Sequence, residues 1–222
     1  MNASSLSPCR RIVALAGLSL IVHSFLFGAT AAAATDNNKN TLSWNQSVEL
    51  EKKSDYAGAL LKINEFIRNN GDLYLGYLRG GWLYYENHDY PHAEDFYKLA
   101  AIHEPKAVTP LLGLAYSYRA GGDNEKAEAT SRQILKLDPG DTKAFHVLGM
   151  IYFDRKDYRN ASLVYDQILA LSPEDTDAIS GSAWAKYYLN DLHNAAGLFN
   201  RLVMLSPDYS HAKDGQAATA GS

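Results

Sequence analysis

Two histidines four residues apart, in His88-Asp89-Tyr90-Pro91-His92, have the spacing at which a helix sets side chains on one face to grip a metal ion. The pair sits where a turn is expected, and Asp89 has a better use as a helix cap, so no metal site is assigned. His103, His146, His193 and His211 are scattered along the chain. Of these, His146 alone suggests chemistry, as a pH-sensitive contact. The single cysteine is Cys9, which leaves the chain beyond it without a disulfide, a thiol nucleophile or a cysteine zinc site. Gly80-Gly81 and Gly121-Gly122 do not form a phosphate loop, and no nucleophile–base arrangement stands out. Neither a cofactor nor an enzymatic activity is expected. Asn45-Gln46-Ser47 and Asn160-Ala161-Ser162 fit the glycosylation sequon, a signal too short to carry weight. Aromatic surface remains. Leu78, Trp82 and Tyr85, and again Trp184, Tyr187 and Tyr188, recur at helical spacing as stripes.

The elements that must carry these stripes show in a period. Asp55, Asp89, Asp123, Asp157 and Asp191 are 34 residues apart, as are Ala59, Ala93, Ala127, Ala161 and Ala195. Pro105, Pro139, Pro173 and Pro207 keep the same spacing. Each Asp suits a helix N-cap, each Ala a close helix crossing, and each Pro the stop after a helix. Gly81, Ala115, Gly149 and Ala183 allow a second close approach. Tyr77, Leu111, Phe145 and Ile179 at one position, and Tyr84, Tyr118 and Tyr152 at another, read as core.

The period and these residue types resemble the tetratricopeptide repeat family, with its helix–turn–helix unit of about 34 residues. The resemblance implies an all-α fold, a right-handed α-solenoid of five 34-residue repeats at 40–73, 74–107, 108–141, 142–175 and 176–209. The first unit diverges, with Ser43, Gln46 and Ser47 at core positions and Gly71 in place of proline. The fifth carries Lys186 where tyrosine is expected, and the third has Asn124 and Ser131 in place of aromatics. Residues 35–39 read as a linker and 210–222 as a polar tail with a short, poor capping helix. Such a cap leaves Leu198, Leu202 and Val203 incompletely covered.

Residues 1–34 are an address. Arg10 and Arg11 precede an apolar run from Ile12 to about Phe27, followed by Gly28, Ala29 and an alanine-rich end. This is the layout of a secretory signal peptide, cleaved near Ala34. The competing reading is a retained N-terminal anchor, since 12–34 is long enough to cross a bilayer. The protein is therefore expected outside the cytoplasm, periplasmic or secreted, or else held on the inner membrane by 12–34. The chain has 21 basic and 25 acidic residues, a net charge of −4. That balance argues against nucleic acid, which needs a clustered positive surface.

In the family, the first helix of each unit lines the inner face, at its second, fifth, ninth, twelfth and thirteenth positions. Carried over, these positions include Leu78, Trp82, Tyr85, Leu112, Tyr116, Arg119, His146, Met150, Phe153, Trp184, Tyr187 and Tyr188 as the candidate partner-binding groove. Trp44, Leu75, Glu86, Thr109, Lys143, Asp154, Asp177 and Ser180 also fall on it. The fifth and ninth positions lack the lysine and asparagine with which chaperone-binding members hold acidic C-termini. The groove suits an apolar or aromatic peptide, or a helix. The function expected is a non-enzymatic protein-interaction scaffold of the cell envelope, by analogy an assembly factor for a secretion, pilus or exopolysaccharide system. Two alternatives stand beside it: a glycan-binding module using the same aromatic faces, and self-association through the array ends, at Leu198 and Leu202 or at the weak first repeat.

Overall fold

The computed structural model describes residues 38–69, 71–209 and 212–220, and every regular element among them is an α-helix. The helices are α1 (38–51), α2 (Tyr56–Arg68), α3 (Leu73–Glu86), α4 (Tyr90–His103), α5 (Val108–Ala120) and α6 (Asn124–Leu137). They continue as α7 (Thr142–Asp154), α8 (Tyr158–Leu171), α9 (Thr176–Tyr188), α10 (Leu192–Leu205) and α11 (Ala212–Ala220). The signal or anchor assigned to 1–34 lies outside the described residues. Among the described residues no helix is long and apolar enough to cross a membrane. One boundary differs from expectation: Asn38 and Lys39, placed in the linker by their polarity, are already helical. Both are exposed, so their polarity costs α1 nothing, and its inward residues lie further on.

The described residues fall into two compact units that divide between Gly76 and Tyr77. In the first, α1 and α2 bury Ser43, Ser47, Ala59, Leu60, Ile63 and Phe66. The two serines are small enough for α1 to lie close on α2. Gln46, expected inside with them, is exposed. Trp44 packs at 5.3 Å, tilted, on Phe66.

In the second unit the helices follow one another in antiparallel pairs, and the 34-residue positions explain why. Asp89, Asp123 and Asp157 cap α4, α6 and α8 by accepting from the backbone N–H three residues on, as Asp55 caps α2 in the first unit. Asp191 departs from this: its carboxylate accepts from the Asn194 side chain at 3.0 and 2.8 Å. First helices are capped as well, by Asp141 on the Ala144 N–H at 2.7 Å and Asp175 on the Ala178 N–H at 2.9 Å. Caps of this kind contribute on the order of 1 kcal/mol each. The turn before each capping Asp places one residue in the left-handed region: Ser54, His88, Gly122, Lys156 and Asn190, with φ from 59° to 87°. Only one of the five is the glycine this conformation favours.

Close packing is set by size matching across the pairs. All five alanines at the crossing position are fully buried. The Tyr97 ring occupies a slot between Gly81 and Gly113, and Tyr165 a slot between Gly149 and Gly181. A Cβ on Gly113 or Gly181 would come within 2.4 Å of its ring. In the third repeat Ser131 stands in place of the aromatic, and the position of Gly113 and Gly181 is filled by the buried Val147. A second compensation answers Lys186. Where the preceding units set Lys98 over the Tyr118 ring and Arg132 on the Tyr152 hydroxyl, Lys186 Nζ donates to Asp166 at 2.7 Å and to Ser162 at 2.8 Å.

The tail changes the expectation for the array end. α11 lies on α10 and α9, with Ala212, Gly215 and Thr219 buried. Leu202 is fully buried in a cluster with Ile179 and Ala212, and Leu198 and Val203 pack against it. Gly215 accepts the Phe199 ring so closely that a Cβ there would collide with it. Small residues make α11 an effective cover because the ring needs space, not apolar bulk. Leu202 is thus unavailable for self-association.

Candidate functional site

The first stripe lies on α3. Leu78, Trp82 and Tyr85 face α5, which contributes Thr109, Leu112, Gly113 and Tyr116. Tyr97 of α4 reaches the same space through its slot between glycines, and Lys143 of α7 closes one side. Together they line an apolar cleft of about 470 Å³. Trp82 is 43% exposed and stacks on Tyr85 at 6.1 Å and 23°. Burial pushes the Tyr97 hydroxyl well above the usual phenol range, with Tyr85 and Glu86 adding to it. Burial likewise raises Tyr85 and Tyr116. These phenols stay neutral at pH 7; among the lining residues Lys143 is the charged one, with Glu86 and Arg119 acting on Tyr85 and Asp141 on Tyr116 from outside the lining.

The second cleft, about 540 Å³, lies between α7 and α9. His146, Met150 and Phe153 of α7 face Asp177, Ser180, Gly181 and Trp184 of α9, with Tyr116, Tyr165 and Tyr209 completing it. Its polar groups are largely engaged. His146 Nε2 is 3.0 Å from Asp175 Oδ2. Burial opposes ionisation of Asp175, yet hydrogen bonds from His146 and the Ala178 N–H outweigh it and hold the carboxyl below its usual range. The Tyr209 hydroxyl donates to Asp177 Oδ1 at 2.6 Å. Burial, then that bond, pushes Tyr209 up to about 12. Tyr165 is also pushed up to about 12, by burial first.

Of the groove residues expected from sequence, Leu78, Trp82, Tyr85 and Leu112 line the apolar cleft, and His146, Met150, Phe153 and Trp184 the polar one. Tyr116 belongs to both. Arg119, Tyr187 and Tyr188 line neither. Arg119 pairs with Asp154 at 3.0 Å, bridging α5 and α7. Tyr188, 52% exposed, stacks on Tyr158 at 4.6 Å. Tyr187 packs edge-on to Trp184, which also meets Phe199 at 5.0 Å. Trp184 is thus more engaged in packing than Trp82, which stacks on Tyr85 and stays 43% exposed. Sequence reasoning missed Tyr97, Tyr165 and Tyr209. The first two were legible in the paired glycines of neighbouring first helices, which leave room for a ring. Tyr209 had no such signal.

The histidines of 88–92 do not converge. His92 Nδ1 is 2.8 Å from Asp89, and His88 Nδ1 is 3.0 Å from the Tyr90 hydroxyl. Among the described residues no three His, Cys, Asp or Glu side chains are placed to hold a metal ion. Ser162, Asp166, Ser182 and Lys186 form a polar cluster whose lysine is held by the carboxylate, which makes it a structural tie.

Two family models, each described as a tetratricopeptide repeat, match residues 111–141 and 142–175. Among solved structures, a tetratricopeptide repeat protein from Parabacteroides merdae is similar over 83% of this chain and 73% of its own, at 21% identity and a TM-score of 0.70. YrrB, described as a repeat protein of this kind with an unusual peptide-binding site, is similar over 83% of this chain and 96% of its own, at 16% identity and a TM-score of 0.62. At these identities the likeness is one of fold. A heat-shock cognate co-chaperone of Aspergillus fumigatus is 33% identical over 78 residues, 35% of this chain. The match spans 23% of that relative's length.

Proposed function

We propose, from the premise that this chain is a tetratricopeptide repeat protein, that it is a non-catalytic scaffold of the cell envelope holding a segment of a partner protein against its first helices. The observation that carries this reading is Trp82, a large aromatic left 43% exposed at the mouth of an apolar cleft. Exposed indole surface gains free energy when a partner covers it, and tryptophan is enriched among residues that dominate interfaces. The second cleft adjoins the first through Tyr116, which gives an extended occupant a continuous track. Peptide binding in YrrB, a protein of the same fold, lends analogy. The co-chaperone likeness does not extend to an acidic-tail clamp here. The fifth and ninth positions of the second to fifth repeats hold Leu78, Trp82, Leu112, Tyr116, His146, Met150, Ser180 and Trp184. Placement in the envelope rests on residues 1–34.

The test is crosslinking in the native envelope with the full chain and with a Trp82→Ala/Tyr116→Ala variant. A specific protein captured by the first and lost from the second, with helical content and melting unchanged, supports the groove. Equal capture refutes it. For localisation, protection from protease in intact cells is expected, and exposure after the outer barrier is opened; a cytoplasmic pool alone refutes export.

A further inference from the structure

We infer that the two clefts read one partner segment by charge order: an apolar side chain with a neighbouring carboxylate at the Trp82 cleft, and an arginine or lysine at the Trp184 cleft. This rests on the reading that the groove holds a protein segment, and it specifies that segment's chemistry. The second positions of α7 and α9 are equivalent, yet they carry Lys143 and Asp177, opposite charges one repeat apart. Lys143 lines the apolar cleft and Asp177 the polar one. No carboxylate of the described residues is paired with Lys143. Asp177 accepts from the neutral Tyr209 hydroxyl, so its charge is hydrogen-bonded without being compensated. The neighbouring cation, Arg119, is paired with Asp154 at 3.0 Å. Phe153, Tyr165 and Trp184 offer aromatic surface around Asp177, and a cation is attracted to such faces as well as to a carboxylate. An anion would find neither there. At the other end, Leu78, Trp82 and Leu112 accept an apolar side chain while Lys143 accepts the charge beside it.

Spacing follows from the helices. α5 packs on α7 and α7 on α9. Packed helices lie about 8–10 Å apart, so the single step from Lys143 on α7 to Asp177 on α9 covers roughly 10 Å, about three residues of extended chain. The partner segment is short.

The experiment is a titration of the full chain, followed by tryptophan fluorescence, with three synthetic ten-residue peptides. The forward peptide carries a Leu–Glu pair and an Arg about three residues beyond the Glu; the reversed peptide exchanges Glu and Arg; the third replaces both by Gln. Each is made in both chain directions. The forward peptide is expected to bind at least about tenfold tighter than the reversed one, because reversal sets like charges together at both ends. Asp177→Asn, which keeps an acceptor for Tyr209, is expected to erase the preference for Arg. Lys143→Glu with Asp177→Lys is expected to invert the order. Equal binding of all three peptides, lost in Trp82→Ala, overturns the charge order while leaving the groove intact. Binding of none at millimolar concentration overturns both.

Discussion

The clefts on either side of Tyr116 are built from equivalent positions of successive repeats, yet they differ in kind. Burial raises the tyrosines of both, but in the α3–α5 cleft Trp82 stays 43% exposed. In the α7–α9 cleft the aromatics are drawn into packing, with Trp184 against Phe199 and Tyr187. The polar groups there are tied to one another through His146–Asp175 and Tyr209–Asp177. The lesson is that position in the repeat decides which side chains face the groove. The neighbours from second helices and from the tail decide what those side chains are free to do.

That contrast can be broken most strongly at the glycine slots. Gly181→Val forces Tyr165 out and is expected to destabilise by about 1–3 kcal/mol, visible as a lowered denaturant midpoint. Gly113→Val does the same to Tyr97 and closes the apolar cleft instead. Next in size, Trp82→Ala is expected to cost about 2 kcal/mol of partner affinity with little change in melting, whereas Trp184→Ala lowers both. Calorimetry and thermal melts on the two variants separate an open aromatic from a packed one.

A smaller effect is confined to the polar cleft. The Asp175 carboxyl has a depressed folded-state pKa, so its stabilisation is complete above the unfolded value of about 4 and is lost as pH falls through the depressed value. Asp175→Asn is expected to flatten this acid limb by under about 1 kcal/mol, read from urea melts between neutral and acidic pH. As a control that leaves both clefts alone, Lys156→Gly relieves a left-handed backbone at φ 61°. A rise in stability of up to about 1 kcal/mol is expected, with peptide affinity unchanged.

Much of the architecture was legible in the period of 34, because the caps, crossing alanines and terminating prolines each answer a local backbone need. The five-fold recurrence of a left-handed residue was harder to see, since Ser54, His88, Lys156 and Asn190 share no chemistry with Gly122. Lys186 looked like a defect when read within its own repeat. It became intelligible only beside Asp166 of the preceding one, since the contact spans two units. The groove was half legible. First-helix positions placed Leu78, Trp82, Tyr116 and Met150 at the clefts. Tyr97 and Tyr165 enter from the opposite helix row and Tyr209 from beyond the last repeat, so first-helix positions alone do not find them.

The ring-and-slot matching also bears on how such a chain changes over generations. Tyr165 needs Gly149 on one side and Gly181 on the other, while Ser131 is followed by Val147. Transplanting α8 into the place of α6 would drive a tyrosine ring toward valine, and the converse move would leave a hole. Repeats of equal length are therefore not interchangeable parts here. Recombination can duplicate or delete them only in blocks that carry an aromatic together with both of its glycines, which fixes their order more firmly than their shared outline implies.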